Sequence, residues 1–298
     1  MSSVLDSVLS PDFLFSQHSL NDYLECPRRF YLQYIAKQVW PLLETGYGGM
    51  DVLQYREYLR QGVRLHRWIE RHWLGINPTL RLAEAKMANS ASEIELQTWW
   101  GRFLDSDFSA LPAQRLPELE LAAQIDDYRL YARYDLLAIE KDRAVVVDWK
   151  TIRFNRPLPH HFWRDRLQTR VYLYVLASAG APFNGGQPIP PENCSMRYWL
   201  ANQPSDDNDE NATSASAWID INYSQAEFEA DERRLRTLVQ HIAQCKHENK
   251  FEKTANEHRC TFCTFRTLCH RQGLPDSEWP DEDKVSHLLT EDVPELEY

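Results

Sequence analysis

The sequence has no apolar run long enough to cross a membrane. Its longest apolar stretch, residues 171–183, covers 13 positions, whereas a membrane-spanning helix needs about 20. The first residues, MSSVLDSVLSPDF, have neither a basic segment nor a long apolar one, so we expect no secretory signal and a cytoplasmic protein. With 43% hydrophobic and 26% charged residues, the composition excludes a wholly disordered chain, a collagen-like fibre and a coiled coil.

Positive charge is scarce overall but not locally. The net charge is −11, yet residues 201–232 carry −9 and residues 271–298 carry −7, which leaves +5 on the rest of the chain. Residues 129–170 alone hold ten Lys or Arg side chains against five acids. Because a polyanion responds to the local field, the acidic total does not exclude a nucleic-acid partner.

Cysteine is also scarce, with six residues in the chain. Disulfides are disfavoured in the cytosol, so clustered cysteines there more often hold metal. Cys260, Cys263 and Cys269 are separated by two and five residues, and Cys26 is a candidate fourth ligand. Four thiolates hold either zinc or an iron–sulfur cluster. Cys194 and Cys245 lack this spacing, and we interpret them as buried small hydrophobic residues.

The order of predicted elements indicates a mixed α/β core with a helical N-terminal extension. Helices are predicted first, with a cap at Ser16 or Ser19, Pro27 in the next first turn, and further helices around residues 55–73 and 91–108. Three strands follow at residues 119–125, 128–139 and 144–149. A helix is then expected over 161–179, a strand over 194–200, and a helix capped by Ser224 that ends near residue 246.

The most informative segment is a predicted hairpin with Lys141-Asp142 as its turn. This register places Asp135 directly opposite Asp148, with β-carbons roughly 5 Å apart, and Lys150 on the same face. Two carboxylates so close repel each other unless a cation lies between them. Oxygen ligands around an open position suit Mg²⁺ or Mn²⁺, and a neighbouring lysine can orient the attacking water.

The alternative for this segment is a solvated strand face that carries two unrelated acids. The run Val145-Val146-Val147 has the composition of a buried strand. It ends in Asp-Trp-Lys, and packing gives no obvious reason for charge at that point. The hairpin therefore favours a functional site over a solvated face.

Asp135 followed by Asp148-x-Lys150 resembles the core of the PD-(D/E)XK nuclease superfamily, in particular the RecB/AddB-type branch that includes CRISPR-associated adaptation nucleases. The branch has Gly-Arg-Ile-Asp where this chain has Ala132-Arg133-Tyr134-Asp135, and Asp-Tyr-Lys-Thr where it has Asp148-Trp149-Lys150-Thr151. The resemblance implies a restriction-endonuclease-like mixed sheet flanked by helices. It also implies a divalent-metal-dependent DNA nuclease.

The same resemblance implies further metal ligands. His66 lies on the apolar stripe of its predicted helix, where a satisfied core histidine is the ordinary interpretation, but the branch has Gly-x-x-x-His here, matched by Gly62 and His66. It implies that His66 and the backbone carbonyl of Trp149 join Asp135 and Asp148 at the metal. Glu120 matches the additional acid on the preceding strand, and Glu118 is the other candidate.

The branch also carries Gln-x-x-x-Tyr after the Asp-x-Lys strand. Gln168 and Tyr172 match it, and their spacing places them on one helix face. The implied role is to bind the DNA strand near the scissile phosphate.

Finally, the resemblance implies a [4Fe–4S] cluster on Cys26, Cys260, Cys263 and Cys269, with a structural role, in place of zinc. We therefore expect one nuclease-type domain over 1–298. Its parts are a helical region 16–110, a catalytic core 115–200, a flexible insertion 201–216, a helix with the cysteine cluster 224–270 and an acidic tail 274–298.

The implied substrate is single-stranded DNA or DNA ends, in repair, recombination or CRISPR adaptation, with a helicase or an adaptation complex as partner. Two other classes compete with this interpretation. One is a nuclease-inactive iron–sulfur subunit that binds DNA or acts as a scaffold. The other is a zinc-stapled interaction protein.

Overall fold

The computed structural model describes residues 9–10, 12–39, 52–76, 91–141, 143–151, 158–202, 217–260 and 263–271. The predicted acidic tail, most of the predicted insertion and Asp142 of the predicted turn lie outside the described residues. Within these ranges, no helix combines the length and the apolar character that a bilayer crossing requires.

The described residues form helices before, between and after the strands of one sheet. The helices are α1 Gln17–Glu25, α2 Pro27–Phe30, a π-helical turn Tyr31–Ile35, α3 Val52–Trp73, α4 Ala91–Leu104, α5 His160–Arg164, α6 Leu167–Ala179 and α7 Gln225–His247. The strands are β1 Leu14–Ser16, β2 Gln114–Ile125, β3 Tyr128–Glu140, β4 Arg143–Lys150, β5 Cys194–Leu200 and β6 Ala217–Asn222.

These strands form a mixed sheet in the order β1-β3-β4-β5-β6, with β2 paired to β3. The pairs β1–β3 and β4–β5 are parallel, and the others are antiparallel. A mixed sheet flanked by helices confirms the predicted fold class. The first half of β3 pairs with β1 and the second half with β4, so β3 carries two different neighbours along one edge.

Both faces of the sheet are covered by helices. The central strand, β4, has apolar side chains on both faces. Val146 belongs to the larger core, which includes much of α6 and part of α7. Val145 and Val147 belong to a second core with α3 and α4, rich in tryptophan and phenylalanine. A strand buried on both faces has a continuous apolar sequence rather than an alternating one, as Val145-Val146-Val147 does.

The predicted hairpin register is confirmed. Pairs run from Glu140 opposite Arg143 to Leu136 opposite Val147, and one further step in the same register places Asp135 opposite Asp148. Ser16 and Ser224 accept hydrogen bonds from the first turns of their helices, as predicted for N-caps.

Four elements differ from the sequence expectation. Strands β1 and β6 were not predicted, and the helix expected over 91–108 ends at Leu104. The helix expected over 161–179 is two helices, because Arg166 has extended backbone (ψ 140°). The carbonyl oxygen of Trp163, in α5, accepts a hydrogen bond from the Thr169 hydroxyl at 2.6 Å. A side chain thus satisfies one of the carbonyls that a helix end leaves open.

Candidate active site

Three acidic residues lie side by side on neighbouring strands. Glu118 lies between the β2–β3 pairs Pro117–Leu136 and Leu119–Tyr134, which places it opposite Asp135. Asp135 in turn lies opposite Asp148 in the β3–β4 register. The backbone N–H of Trp149 donates to Asp135 Oδ2 at 2.8 Å, so the Asp135 carboxylate is fixed beside β4. The sheet therefore arranges three carboxylates in a row at this point.

His66 of α3 reaches the same point from outside the sheet. Its Nδ1 lies 3.1 Å from Asp135 Oδ1, and its Nε2 lies 3.0 Å from the Trp149 carbonyl oxygen. A carbonyl oxygen and a carboxylate both accept hydrogen bonds, so these contacts favour the doubly protonated ring. Burial lowers the pKa of His66, but Asp135, Asp148 and Glu118 outweigh it and raise that pKa to about 9. A charged imidazole thus offsets part of the carboxylate repulsion.

Glu118 is held in an unusual conformation. Its φ of 51° lies in the left-handed region, which is uncommon for a residue with a side chain and costs about 1–2 kcal/mol. Arg133 Nε donates to Glu118 Oε2 at 2.8 Å. Burial and the neighbouring Asp135 charge raise the pKa of Glu118, while Arg133 and His66 oppose that rise. Strain and crowded like charge in one place are typical of functional sites.

His66, Glu118 and Asp135 each offer a ligand atom, and these atoms lie within 4.8 Å of one another. Carboxylate oxygens, an imidazole and the adjacent main-chain carbonyl of Trp149 form a donor set that suits a divalent cation such as Mn²⁺ or Mg²⁺. The structure thus brings together most of the ligands expected from the sequence. It also places Glu118 with them, whereas Glu120 is exposed two residues further along β2.

The turn between β2 and β3 carries a sequence signal for Glu118. Asp126 has a φ of 49° in the tight turn between β2 and β3, a conformation that Asp tolerates well. With Asp126-Asp127 as a two-residue turn, the register places Glu118 opposite Asp135. Glu120 lies opposite Arg133 in that register.

Asp148, Lys150 and Gln168 form a second, more deeply buried group. Gln168 Nε2 donates to Asp148 Oδ1 at 2.7 Å, and Lys150 Nζ lies 3.0 Å from Asp148 Oδ2. These three residues are 4–5% exposed. Gln168 Oε1 is also buried and has no hydrogen-bond partner among the described residues. Buried polar atoms are almost always paired, so this oxygen is available to accept a hydrogen bond from a ligand or a water molecule.

Tyr172 lies one turn after Gln168 on α6 and is 4% exposed. Its ring makes an edge contact with the Tyr134 ring at 5.3 Å between centroids, and its carbonyl accepts from the Tyr134 hydroxyl at 3.1 Å. The two residues of the predicted Gln-x-x-x-Tyr motif therefore differ in setting. Gln168 contacts the acidic group, and Tyr172 packs against β3.

The four spaced cysteines line a single cavity. Cys26 lies between α1 and α2, and the Thr254 backbone N–H lies 3.4 Å from its sulfur. Burial raises the pKa of Cys260 to about 11, and the nearby Cys263, Cys26 and Cys269 contribute to that rise. Five cationic side chains also line the cavity: Arg29, Lys253, Arg259, Arg266 and Arg271. The four sulfur-bearing residues and these cationic side chains therefore surround one cavity.

Comparisons with known proteins identify the family of this chain. None of the curated proteins matches the chain. Two solved structures with similar folds are SSO0001, with 15% identity, 88% of each chain covered and a TM-score of 0.39, and a "Putative exonuclease" from Eubacterium rectale, with 9% identity, 92% and 93% covered and a TM-score of 0.48. The family model of the PD-(D/E)XK nuclease superfamily matches residues 14–270. The chain therefore belongs to the PD-(D/E)XK nuclease superfamily.

Proposed function

We propose that this protein is a divalent-metal-dependent DNA nuclease whose catalytic centre is the row of Glu118, Asp135 and Asp148 across strands β2, β3 and β4. The observation that carries the proposal is the convergence of His66, Glu118 and Asp135, within 4.8 Å, beside the buried pair of Asp148 and Lys150, 3.0 Å apart. Acids alone are common on protein surfaces. Acids held in a row, with a buried lysine at one end, fit phosphodiester hydrolysis.

The ligands we assign to the metal are His66, Glu118, Asp135, Asp148 and the Trp149 carbonyl. A bound Mg²⁺ or Mn²⁺ would polarise the phosphate and lower the pKa of a coordinated water. His66 binds a cation only after it loses a proton, so the charge of the bound metal replaces the charge of the imidazolium. Asp135 is already oriented by the Trp149 N–H at 2.8 Å, which reduces the reorganisation that binding requires.

The remaining residues act on the phosphate and the nucleophile or support the site. Lys150, fixed beside Asp148, directs positive charge at the position where negative charge develops on the phosphate. Gln168 donates one N–H to Asp148 and keeps its carbonyl oxygen available, which suits an acceptor for a water near the metal. Tyr172, one turn later on the same helix face, is buried against Tyr134, so we assign it to holding α6 against β3 beside the site and not to direct contact with the DNA strand.

The test of this proposal is degradation of end-labelled single-stranded DNA by anaerobically purified protein. We expect cleavage in Mg²⁺ or Mn²⁺ and none in EDTA, with activity restored by excess metal. DNA binding without cleavage in either metal would instead identify the inactive binding or scaffold subunit. Cleavage that persists in EDTA would refute the metal-dependent mechanism.

Glu118→Gln is expected to weaken Mn²⁺ binding about 10- to 100-fold, the range typical of a disturbed metal site. The substitution keeps the shape of the side chain and removes one charge from the ligand set. Glu120→Gln is the matched control, because Glu120 lies on the same strand but is exposed. Isothermal titration with Mn²⁺ measures both. Equal affinities in the two variants would show that Glu118 is not a ligand.

DNA affinity is expected to fall steeply with salt, despite the acidic total charge. Each phosphate contact from the basic 129–170 segment should contribute about −0.7 to the slope of log K against log salt concentration on single strands. Fluorescence anisotropy in EDTA, which prevents cleavage, measures the slope. An affinity that does not change with salt would favour a protein partner over DNA.

We further propose that Cys26, Cys260, Cys263 and Cys269 hold a [4Fe–4S] cluster with a structural role. The cavity that they line joins the first helices to the segment after α7. The Arg259 guanidinium donates to the Leu24 carbonyl at 3.0 Å, and the Arg28 N–H donates to the Glu252 carbonyl at 3.0 Å. A cluster here would fix two ends of the chain to each other.

A helicase or a CRISPR adaptation complex is the first partner to test by co-purification.

A further inference from the structure

A buried hydrogen-bond relay links β5 to the first turn of α6, beside the proposed catalytic group. Tyr198 and Thr169 are fully buried, and the Tyr198 hydroxyl lies 2.6 Å from Thr169 Oγ1. Thr169 Oγ1 also donates to the Trp163 carbonyl at 2.6 Å. A hydroxyl has one proton to donate, so the Tyr198 O–H must donate to Thr169. The relay therefore has one direction, from Tyr198 to Thr169 to Trp163.

The relay joins two residues close to Asp148: Tyr198 on the neighbouring strand, and Thr169, which follows Gln168 in the chain. Tyr198 is the Cα partner of Asp148 in the parallel β4–β5 pair, and the Lys150 ammonium lies 5.9 Å from the centre of its ring. Thr169 directly follows Gln168, whose amide donates to Asp148 at 2.7 Å. The Tyr198 ring is in turn held by Trp163, with 4.8 Å between centroids. Any rotation or shift of the first turn of α6 would break the relay and move Gln168.

We propose that the Tyr198–Thr169 hydrogen bond positions Gln168 on Asp148, so that Tyr198 and Thr169 are positioning residues for the catalytic group. The inference rests on the proposed nuclease function for its kinetic consequence. Neither hydroxyl is exposed to substrate. Their effect passes through Gln168, whose unpaired carbonyl oxygen must face one direction to accept a hydrogen bond from a bound water.

The test compares Thr169→Val, which keeps the side-chain shape and removes both hydrogen bonds, with Thr169→Ser, which keeps the hydroxyl and removes a methyl group. Tyr198→Phe should lower kcat about fivefold, the equivalent of one hydrogen bond of about 1 kcal/mol, and Thr169→Val, which removes both, should lower it at least as much, with KM for DNA unchanged in each. Thr169→Ser should restore kcat even if it melts at a lower temperature. The double variant should be no slower than Thr169→Val, because both changes break the same relay.

A purely structural role predicts a different pattern. In a Gln168→Ala background, Thr169→Val should cause no further loss of kcat if it acts through Gln168, whereas independent effects would multiply. Ser106→Ala is the control, since it removes the hydroxyl that accepts from the buried Trp199 indole at 2.8 Å on the other face of β5, and it should leave kcat unchanged. Multiplying effects, or a Thr169→Ser variant as slow as Thr169→Val, would overturn the inference.

A second measurement does not depend on cleavage. The side-chain amide of Gln168, assigned by its disappearance in Gln168→Ala, should exchange slowly with solvent in the wild-type chain and in Thr169→Ser, and faster in Thr169→Val. Unchanged exchange in Thr169→Val would refute the positioning role. A wild-type chain that cleaves no DNA would refute the proposed function, and this measurement would then decide the inference alone.

Discussion

Lys150→Ala is expected to lower the single-turnover rate of DNA cleavage by about 10²- to 10³-fold, the loss typical of one preorganised group that stabilises developing charge. Lys150 is 5% exposed, and its ammonium lies 3.0 Å from Asp148. In such a poorly solvated place, a charge acts far more strongly than it does in water. Mn²⁺ affinity should not fall, because lysine is a positive neighbour of the metal rather than a ligand.

Asp135→Asn provides the contrast, since it should lose both cleavage and Mn²⁺ binding. Lys250→Ala is the control lysine, because its side chain is 64% exposed and its only described ion pair is with Glu252 at 3.4 Å. Rapid-quench cleavage and Mn²⁺ titration on the same preparations separate the two roles. If Lys150→Ala cleaved at the wild-type rate, the assignment of the acidic row and Lys150 as the catalytic centre would be wrong.

Cys26→Ser is expected to remove the iron and to lower the melting temperature. The anaerobic wild-type protein should be brown and contain about four irons per chain, as a cubane cluster requires. Loss of the Cys26 ligand should loosen the contact between α1–α2 and the segment after α7, because ligand binding and folding energy are linked. Nuclease activity should fall indirectly, since Cys26 is no part of the carboxylate group.

Cys194→Ser and Cys245→Ser are the controls for that experiment. Cys194 is buried on β5 in the larger core, as expected, whereas Cys245 on α7 is only half-buried, with its sulfur 3.1 Å from the Tyr23 hydroxyl. Neither lines the cavity of the other four cysteines, so both variants should keep the colour. Metal analysis that found one zinc and no iron would overturn the cluster but leave the nuclease proposal in place. A Cys26→Ser protein that kept its iron and its stability would show that the fourth ligand lies elsewhere.

The local parts of this fold could be predicted from the sequence, because local chemistry determines them. A two-residue turn fixed the register of β3 and β4, and serine caps marked the starts of α1 and α7. Strand β1 could not be predicted, because it has three residues and exists only through parallel pairing with Arg129–Tyr131, more than a hundred positions away. The break before α6 has no proline or glycine signal. At this break the Thr169 hydroxyl donates to the Trp163 carbonyl at 2.6 Å, a local contact that a threonine in an apolar helical pattern does not reveal in advance.

In the candidate site, too, local features could be predicted from the sequence and contacts between distant elements could not. The pairing of Asp135 with Asp148 followed from counting residues along one hairpin. The inward orientation of His66 followed from the periodicity of α3, but its contacts with Asp135 and the Trp149 carbonyl depend on how α3 packs against the sheet. The family resemblance favours Glu120 over Glu118, whereas the Asp126-Asp127 turn places Glu118 opposite Asp135. Its left-handed backbone, with a φ of 51° inside a strand, has no sequence signature in a glutamate.

The most direct test of the central claim is cleavage of end-labelled single-stranded DNA in ¹⁸O-labelled water, with wild-type and Lys150→Ala proteins side by side in Mn²⁺ and in EDTA. If the row of Glu118, Asp135 and Asp148 across β2, β3 and β4 is the centre that hydrolyses phosphodiester bonds, each new phosphate end should carry one ¹⁸O atom. Labelled product should form with the wild-type protein in Mn²⁺ and with neither protein in EDTA. Equal amounts of labelled product from Lys150→Ala, or labelled product in EDTA, would contradict the account.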